Sequence, residues 1–490
     1  MRIQWTPEQV TILDCDDPVI RIKAFAGAAK TTTLVQYAKL RPQKRFLYLA
    51  FNKSVKTEAA EKFPKKNVKV STTHGLAYAT YGRQFQHKLS KYLRLSVIAD
   101  VLCTQDWAYV KIINDTLNGF MASGDDSIND SHLPSKSRAR ILSEKSGYLM
   151  GIFQDTQTIW EKMIDPEDTT VPCLHSAYLK LFSISSPDLS EYDGILVDEA
   201  QDISPVTFAF LLKQSRCQRI YVGDPSQQIY RFLGADNALD HPSLAGSTNL
   251  TLSSSFRFGP AIAGLANVLL AYKGETRPVI GAGYRTQIKT ALPPETTQPA
   301  FINRTVMGVL DTAIHASSTG KKVFWVGGID AYNIGTLEDL HKLATKDPSK
   351  VQNKRLLKDY EDFGQYEEVA EETQDSEMKR AVRIVKKYDN LSTLLLQMRK
   401  MTVSKLEDAD VVVTTAHRVK GLEFDYVMML DDFPDPLDPM MDPADAADEI
   451  NLNYVAATRA KKVLVPNSVV IGMIRDHAAR TKNNQPIPVF

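Results

Sequence analysis

The 490-residue chain carries 59 basic and 58 acidic side chains for a formal net charge of +1, which excludes a globally basic nucleic-acid binder and leaves any such contact to local patches. At 43% hydrophobic and 24% charged it reads as globular, and its length exceeds one hydrophobic core, so about two to four domains are expected. Cys15, Cys103, Cys173 and Cys217 have no C-x-x-C spacing, against a zinc site or disulfide scaffold, and no apolar run reaches the roughly 18–20 residues a bilayer demands.

In chain order, Thr6 reads as a helix N-cap with Pro7 at the first helical position, starting a short helix that carries Gln9. A glutamine amide can pair with adenine, although an exposed helix glutamine is equally a solvated side chain. The apolar Val19-Ile20-Arg21-Ile22 runs into Ala24-Phe25-Ala26-Gly27-Ala28-Ala29-Lys30-Thr31 and then Thr32, a strand, tight loop and helix. Small residues let the loop N–H groups of Ala26, Gly27, Ala28 and Ala29 converge on phosphate; Lys30 can reach the β/γ-phosphates and the Thr31 hydroxyl can ligate Mg²⁺. The pattern G-x-x-x-x-G-K-[ST] has Gly where this chain has Ala24 and Ala29, and a methyl at Ala29 strains the loop if φ is positive there. An ordinary strand-to-helix turn with an exposed lysine would read similarly.

Further strands are expected at Arg45–Phe51, followed by Asn52 and Lys53, and at Val68–Ser71, ending in Thr72-Thr73-His74-Gly75. Strands alternating with helices at this spacing predict a parallel α/β sheet whose functional loops sit at the strands' carboxyl ends. Residues 84–175 change to helical periodicity and predict an inserted helical subdomain. The sheet resumes at Gly194-Ile195-Leu196-Val197, which places Asp198 and Glu199 at a strand end, where Asp198 can hold Mg²⁺ and Glu199 can deprotonate a water. A bare Asp-Glu pair is usually a solvated loop; the upstream phosphate-loop match changes that. After Arg219–Val222 comes Gln227, a candidate γ-phosphate sensor, with Tyr230 and Phe232 as stacking faces or as core, and then Arg257 as a candidate arginine finger.

Residues 325–400 are strongly charged, and the basic run Lys379–Lys387 reads first as a solvated helix face and second as a phosphate contact. The α/β pattern returns at Asp410–Asp425, and after the acidic proline-rich Phe433–Pro439 comes Leu452–Lys462.

Together, in their order and spacing, these segments resemble the superfamily 1 DNA helicases of the UvrD/Rep type, and most of all the helicase portion of the F-box DNA helicases. The likeness runs from Thr6-Pro7-Glu8-Gln9 to Thr458-Arg459-Ala460-Lys461 and is carried at subfamily level by Tyr48–Ser54, Val326-Gly327-Gly328-Ile329 and Thr415–Glu423. It implies an α/β fold of two RecA-like P-loop domains with parallel sheets that clamp ATP, each carrying an inserted, mainly helical subdomain. The first domain would comprise 1–83 and 176–258 with insert 84–175, the second 259–324 and 401–490 with the short insert 325–400. Implied roles are adenine reading by Gln9, phosphate and Mg²⁺ binding by Lys30, Thr31 and Asp198, and base catalysis by Glu199. Gln227, Arg257 and Arg459 would meet the γ-phosphate, Glu423 the ribose, and the Phe256 ring the adenine. On the DNA side stand Asn52, Lys53, Thr72, Thr73, His74, Tyr230, Phe232 and His417.

The implied activity is ATP-driven 3′-to-5′ travel on single-stranded DNA and at single-strand/duplex junctions, in repair or recombination. Recombination or replication proteins are possible partners; membranes are not. The chain is expected to be monomeric alone and cytoplasmic, associated with the nucleoid, or nuclear in a eukaryote. No signal-peptide core and no F-box-like segment is read before or at Met1, so no ubiquitin-ligase role is expected. Ala29 for Gly, Thr73 for an aromatic and Ser255 for Asn depart from the family pattern. Ala29 leaves open a nucleotide-gated DNA-binding scaffold with weak turnover, and an RNA-directed motor also stays open.

Overall fold

A computed structural model describes residues 4–143, 146–231, 237–373 and 376–490. The chain divides into two compact units at Leu252/Ser253, a short way before the expected boundary after residue 258, so that Phe256 and Arg257 belong to the second unit.

In the first unit, six strands form one all-parallel sheet: β1 (Val19–Ala24), β2 (Phe46–Ala50), β3 (Val68–Thr72), β4 (Gly194–Val197), β5 (Gln218–Gly223) and β6 (Thr248–Leu252), in the order β3-β2-β4-β5-β1-β6. Helices α1 (Pro7–Asp14), α2 (Lys30–Lys39), α3 (Lys53–Lys62) and α4 (Thr73–Thr80) connect or flank the early strands. Because side chains alternate across a strand, each strand feeds two cores. Phe46, Tyr48, Leu196, Ile220 and Val222 join Ile12, Leu34 and Tyr37 on one face. Leu47, Leu49, Ile195, Val197 and Tyr221 join the other core. That second core continues into the expected insertion, where α5 (Leu95–Leu102), α6 (Trp107–Ala122), α7 (Ser135–Ser143) and α8 (Ser146–Ile164) precede α9 (His175–Ile184); α10 (Pro205–Leu212) follows β4. One sheet edge therefore presents the ends of β1, β2, β3, β4 and β5, where the candidate loops emerge.

Local chemistry explains the element starts. Thr6 and Gln9 form a reciprocal capping box, Asn52 accepts from Val55 N at 2.9 Å, and Thr72 accepts from Gly75 N at 3.0 Å. At the end of β5 a Cβ on Gly223 would lie 2.2 Å from Gln201 Oε1 and 3.0 Å from Ala200 N, so any larger residue would displace the Gln201 amide.

The second unit holds a seven-stranded parallel sheet: β7 (Gln287–Ile288), β8 (Ala300–Asn303), β9 (Val323–Trp325), β10 (Thr402–Val403), β11 (Val411–Thr415), β12 (Phe424–Met429) and β13 (Ala460–Val465), in the order β7-β13-β12-β8-β11-β9-β10. Helices α11 (Pro260–Ala271), α12 (Val306–Ser318), α18 (Pro443–Ala457) and α19 (Ser468–Lys482) belong to this unit. Between β9 and β10 lie α13 (Ile334–Ala344), α14 (Lys354–Asp359), α15 (Phe363–Thr373), α16 (Ser376–Lys387) and α17 (Leu391–Met401), packed on Val309, Val323 and Val411. The basic face of α16 is met by the chain's own acids: Lys379 pairs with Glu371 at 2.8 Å, Lys387 with Asp311 at 2.7 Å, and Lys386 with Glu367. The run was expected first as a solvated helix face, and the structure adds that these lysines are ion-paired within the chain. Among the described residues, no helix is long and apolar enough to cross a membrane.

Candidate functional site

The loop after β1 turns through Gly27 at φ 75° and Ala29 at φ 57°, ψ 37°, and α2 begins at Lys30. The Ala29 methyl thus sits in the left-handed region, at a cost of roughly 1–2 kcal/mol relative to glycine. No side chain caps α2, whose N-cap is Ala29, so its first-turn N–H groups and dipole face the loop. This is the geometry for an anion.

Across the sheet edge, the turn after β4 brings two carboxylates to the same place. Glu199 adopts φ 51°, ψ 43°, a second strained non-glycine residue, and its Oε1 lies 3.1 Å from Lys30 Nζ. Asp198 Oδ2 accepts from Thr31 Oγ1 at 3.1 Å and from Tyr48 OH at 2.6 Å, while Oδ1 accepts from Glu199 N at 2.9 Å. The residues that meet are 167 apart in sequence. Gln201 fastens the turn, donating to Glu199 Oε2 at 2.6 Å and accepting from Asp224 N at 3.0 Å, and Gln227 Nε2 donates to Asp224 Oδ2 at 2.7 Å. Lys30, Asp198, Glu199 and Gln227 are therefore linked through Gln201 and Asp224.

Burial disfavours the Lys30 charge, but Glu199, Asp198 and Asp224 outweigh it and hold the ammonium above its ordinary pKa. For Asp198, burial and then the Glu199 charge push the carboxyl above the usual range. A site with this balance favours an added divalent cation. The donors fit one: Thr31 and Asp198 converge oxygen ligands, suited to a hard cation that completes its shell with phosphate oxygens. Among the described residues no group of three or more His, Cys, Asp or Glu side chains forms a metal cage.

Gln9 lies beside the phosphate loop. Its Oε1 accepts from Thr6 N at 3.0 Å, its Nε2 donates to Thr33 Oγ1 at 3.0 Å, and it is buried. The amide thus ties α1 to the first turn of α2, beside Thr32.

Next to the carboxylates, Phe51, Thr73, His74, Asp198, Glu199 and Asp202 help line a cavity of about 250 Å³. The Phe51 ring stacks on Tyr230 with centroids 5.7 Å apart and planes at 18°. Lys53 is exposed at the start of α3, immediately after the N-cap Asn52. Phe232 lies outside the described residues.

In the second unit, Arg257, Glu423 and Arg459 come together. Arg257 Nε donates to Glu423 Oε2 at 2.9 Å and its Nη1 to Thr458 O at 3.1 Å. Arg459 is buried, donating to Val455 O at 2.8 Å and Leu422 O at 3.3 Å. Its guanidinium braces the backbone that carries Glu423. Phe256 is exposed beside Arg257, on a backbone held by a neighbouring segment: a Cβ on Gly283 would stand 2.7 Å from Phe256 O. His417 follows β11 in the loop Ala416–Leu422; burial, with Arg304 and Arg418 adding, pushes its imidazole down to about 4, so it is neutral at physiological pH.

Sequence reasoning missed Tyr48, Phe51, Gln201 and Asp224 as site residues. Gln201 could have been noticed, as a polar side chain directly after Asp198-Glu199-Ala200. Tyr48 could not, because nothing along the chain distinguishes it from a core aromatic.

The UvrD-like helicase C-terminal domain family matches residues 286–468, and the UvrD/REP helicase N-terminal domain family matches residues 153–239. The chain is 31% identical over 502 residues to F-box DNA helicase 1 of Gallus gallus, covering 94% of this chain and 49% of that protein. It is 31% identical over 512 residues to F-box DNA helicase protein 1 of Schizosaccharomyces pombe, covering 95% of this chain and 57% of that protein. The chain spans about half the length of these relatives.

Proposed function

Because the chain belongs to the UvrD-like helicase family, we propose that it is an ATP-dependent DNA helicase that moves 3′-to-5′ along single-stranded DNA. The observation that carries this reading is the convergence of Lys30, Thr31, Asp198 and Glu199 at one edge of the parallel sheet. Bound MgATP supplies the γ-phosphoryl group whose transfer to water drives movement. Lys30 and the first-turn N–H groups of α2 hold the triphosphate, Thr31 and Asp198 hold the cation, and Glu199 accepts a proton from the attacking water. Gln227 senses the γ-phosphate, and Arg257 and Arg459 of the second unit supply the arginine role. Phe51, Tyr230 and His74 offer faces to the strand, and Lys53 and His417 contribute on the backbone side. Residues 84–175 and 325–400 serve as inserted helical subdomains, and single-strand/duplex junctions are the substrates.

The test is strand displacement with duplexes bearing a 3′ or a 5′ single-stranded tail. ATP-dependent release from the 3′-tailed duplex alone is expected; release from the 5′-tailed one alone would refute the direction.

Ala29 favours a second reading, a nucleotide-gated scaffold with weak turnover, since its methyl occupies a left-handed backbone. Ala29→Gly separates the two. Relief of roughly 1–2 kcal/mol corresponds to at most about thirtyfold in rate, so the helicase reading expects a modest rise in kcat and a slightly higher Tm. A rise beyond a hundredfold with unchanged DNA affinity would favour the scaffold.

A further inference from the structure

Strand β2 is buried along its whole length, and Tyr48 at its centre is fully buried. Phe46 and Ala50, on the same face of the strand, are purely apolar, and the Tyr48 ring itself packs on Phe63 with centroids 4.5 Å apart. A phenylalanine would fill that space equally well. What tyrosine adds is a hydroxyl in a place where the neighbouring strand carbonyls are engaged in the sheet, and an unsatisfied hydroxyl there would be costly. The register, Tyr48 opposite Leu196, sets the ring two residues short of Asp198, and the hydroxyl reaches forward to Asp198 Oδ2 at 2.6 Å.

We propose that Tyr48 is the positioning residue for the metal-ligating carboxylate of the nucleotide site, fixing Asp198 so that it offers a single oxygen direction to a divalent cation. This rests on the reading of the site as one for MgATP. Asp198 is held on both oxygens: Glu199 N donates to Oδ1 at 2.9 Å, and Tyr48 and Thr31 donate to Oδ2. The Thr31 hydroxyl is itself a proposed cation ligand, so once it turns to that task Tyr48 is the side chain left to orient Oδ2. A carboxylate so fixed suits Mg²⁺, which demands near-octahedral ligands at short range. Ca²⁺ tolerates irregular and bidentate carboxylates, so freeing Asp198 helps Ca²⁺ more than Mg²⁺.

Tyr37 provides the internal control. It belongs to the same core, and its hydroxyl is also bonded, to Cys15 O at 2.8 Å and Gln218 Oε1 at 3.0 Å, away from the carboxylates. Tyr37→Phe removes a buried hydroxyl from that core without touching Asp198.

The experiment measures binding of a fluorescent ATP analogue to the full chain while Mg²⁺ or Ca²⁺ is titrated, for wild type, Tyr48→Phe, Tyr37→Phe and Lys30→Ala. Tyr48→Phe is expected to raise the Mg²⁺ concentration for half-maximal binding about 10- to 100-fold, the usual effect of losing a partner of a metal ligand. Binding in EDTA should stay unchanged, the preference for Mg²⁺ over Ca²⁺ should shrink, and Tyr37→Phe should behave as wild type. The proposal is overturned if Tyr48→Phe keeps the wild-type Mg²⁺ midpoint, or if Tyr37→Phe shifts it equally. Wild-type binding that is metal-dependent and weakened in Lys30→Ala keeps the nucleotide-site reading standing in either case; binding that shows neither feature would overturn that reading and this proposal together.

Discussion

Glu199→Gln is expected to lower ATP turnover by about 10²- to 10⁴-fold while nucleotide binding persists, the range for loss of a general base. The side chains have the same shape, so the contact with Gln201 at 2.6 Å and the neighbourhood of Lys30 at 3.1 Å have room to survive the change. What disappears is the capacity to accept a proton. Glu199 is poised by a backbone at φ 51°, a conformation that a turn forced by Gln201 and the close approach of Gly223 can hold. Single-turnover hydrolysis beside equilibrium nucleotide binding separates the two effects. A variant that binds and hydrolyses like wild type would move the base to another residue.

Lys30→Ala has the second large effect, and it acts on two observables. Turnover should fall by about 10²- to 10³-fold, as when one charged or hydrogen-bonding stabiliser of a transition state is removed, with weaker triphosphate binding. Without nucleotide, the same change strips the cation from a nest of Asp198, Glu199 and Asp224, whose charges hold the Lys30 ammonium above its ordinary pKa against the effect of burial. Leaving a buried charge uncompensated typically costs about 3 kcal/mol or more, so the apo variant should melt at lower temperature. Added Mg²⁺ should recover part of that loss. A variant with wild-type Tm would show that the carboxylates are solvated enough to need no counter-ion.

How far the sequence could go depends on what each residue answers to. Five strands of the first sheet and Val411–Thr415 of the second were legible because runs such as Phe46–Ala50 and Val411–Val413 are apolar and end in polar residues, a pattern dictated by burial on two faces; the shorter strands of the second sheet, such as Val323–Trp325, carry too few residues to show it. Lys30, Thr31, Asp198 and Glu199 were legible as types at strand ends, and geometry adds that they touch. The strain at Ala29 was legible as a condition: a methyl is awkward if φ is positive, and it is. Gln9 was half legible. Its place beside the phosphate loop follows from the Thr6 cap, but the amide's bond to Thr33 is a contact made in three dimensions. Tyr48 was not legible, since its hydroxyl finds a partner 150 residues away. Nor was the inward turn of Arg459, because an arginine near a strand reads as exposed until the carbonyls of Val455 and Leu422 are seen to receive it.

The proposed function requires the loop from Ala24 to Thr31 and the Asp198-Glu199 turn to form an ATPase engaged by DNA. The most direct measurement is steady-state ATP hydrolysis by the full chain, with and without single-stranded DNA of graded length and at several salt concentrations, beside Lys30→Ala. Turnover should rise on adding the strand, saturate with its length, and be lost in Lys30→Ala. Hydrolysis that stays flat across every length and salt, or that survives Lys30→Ala, would contradict the proposed function.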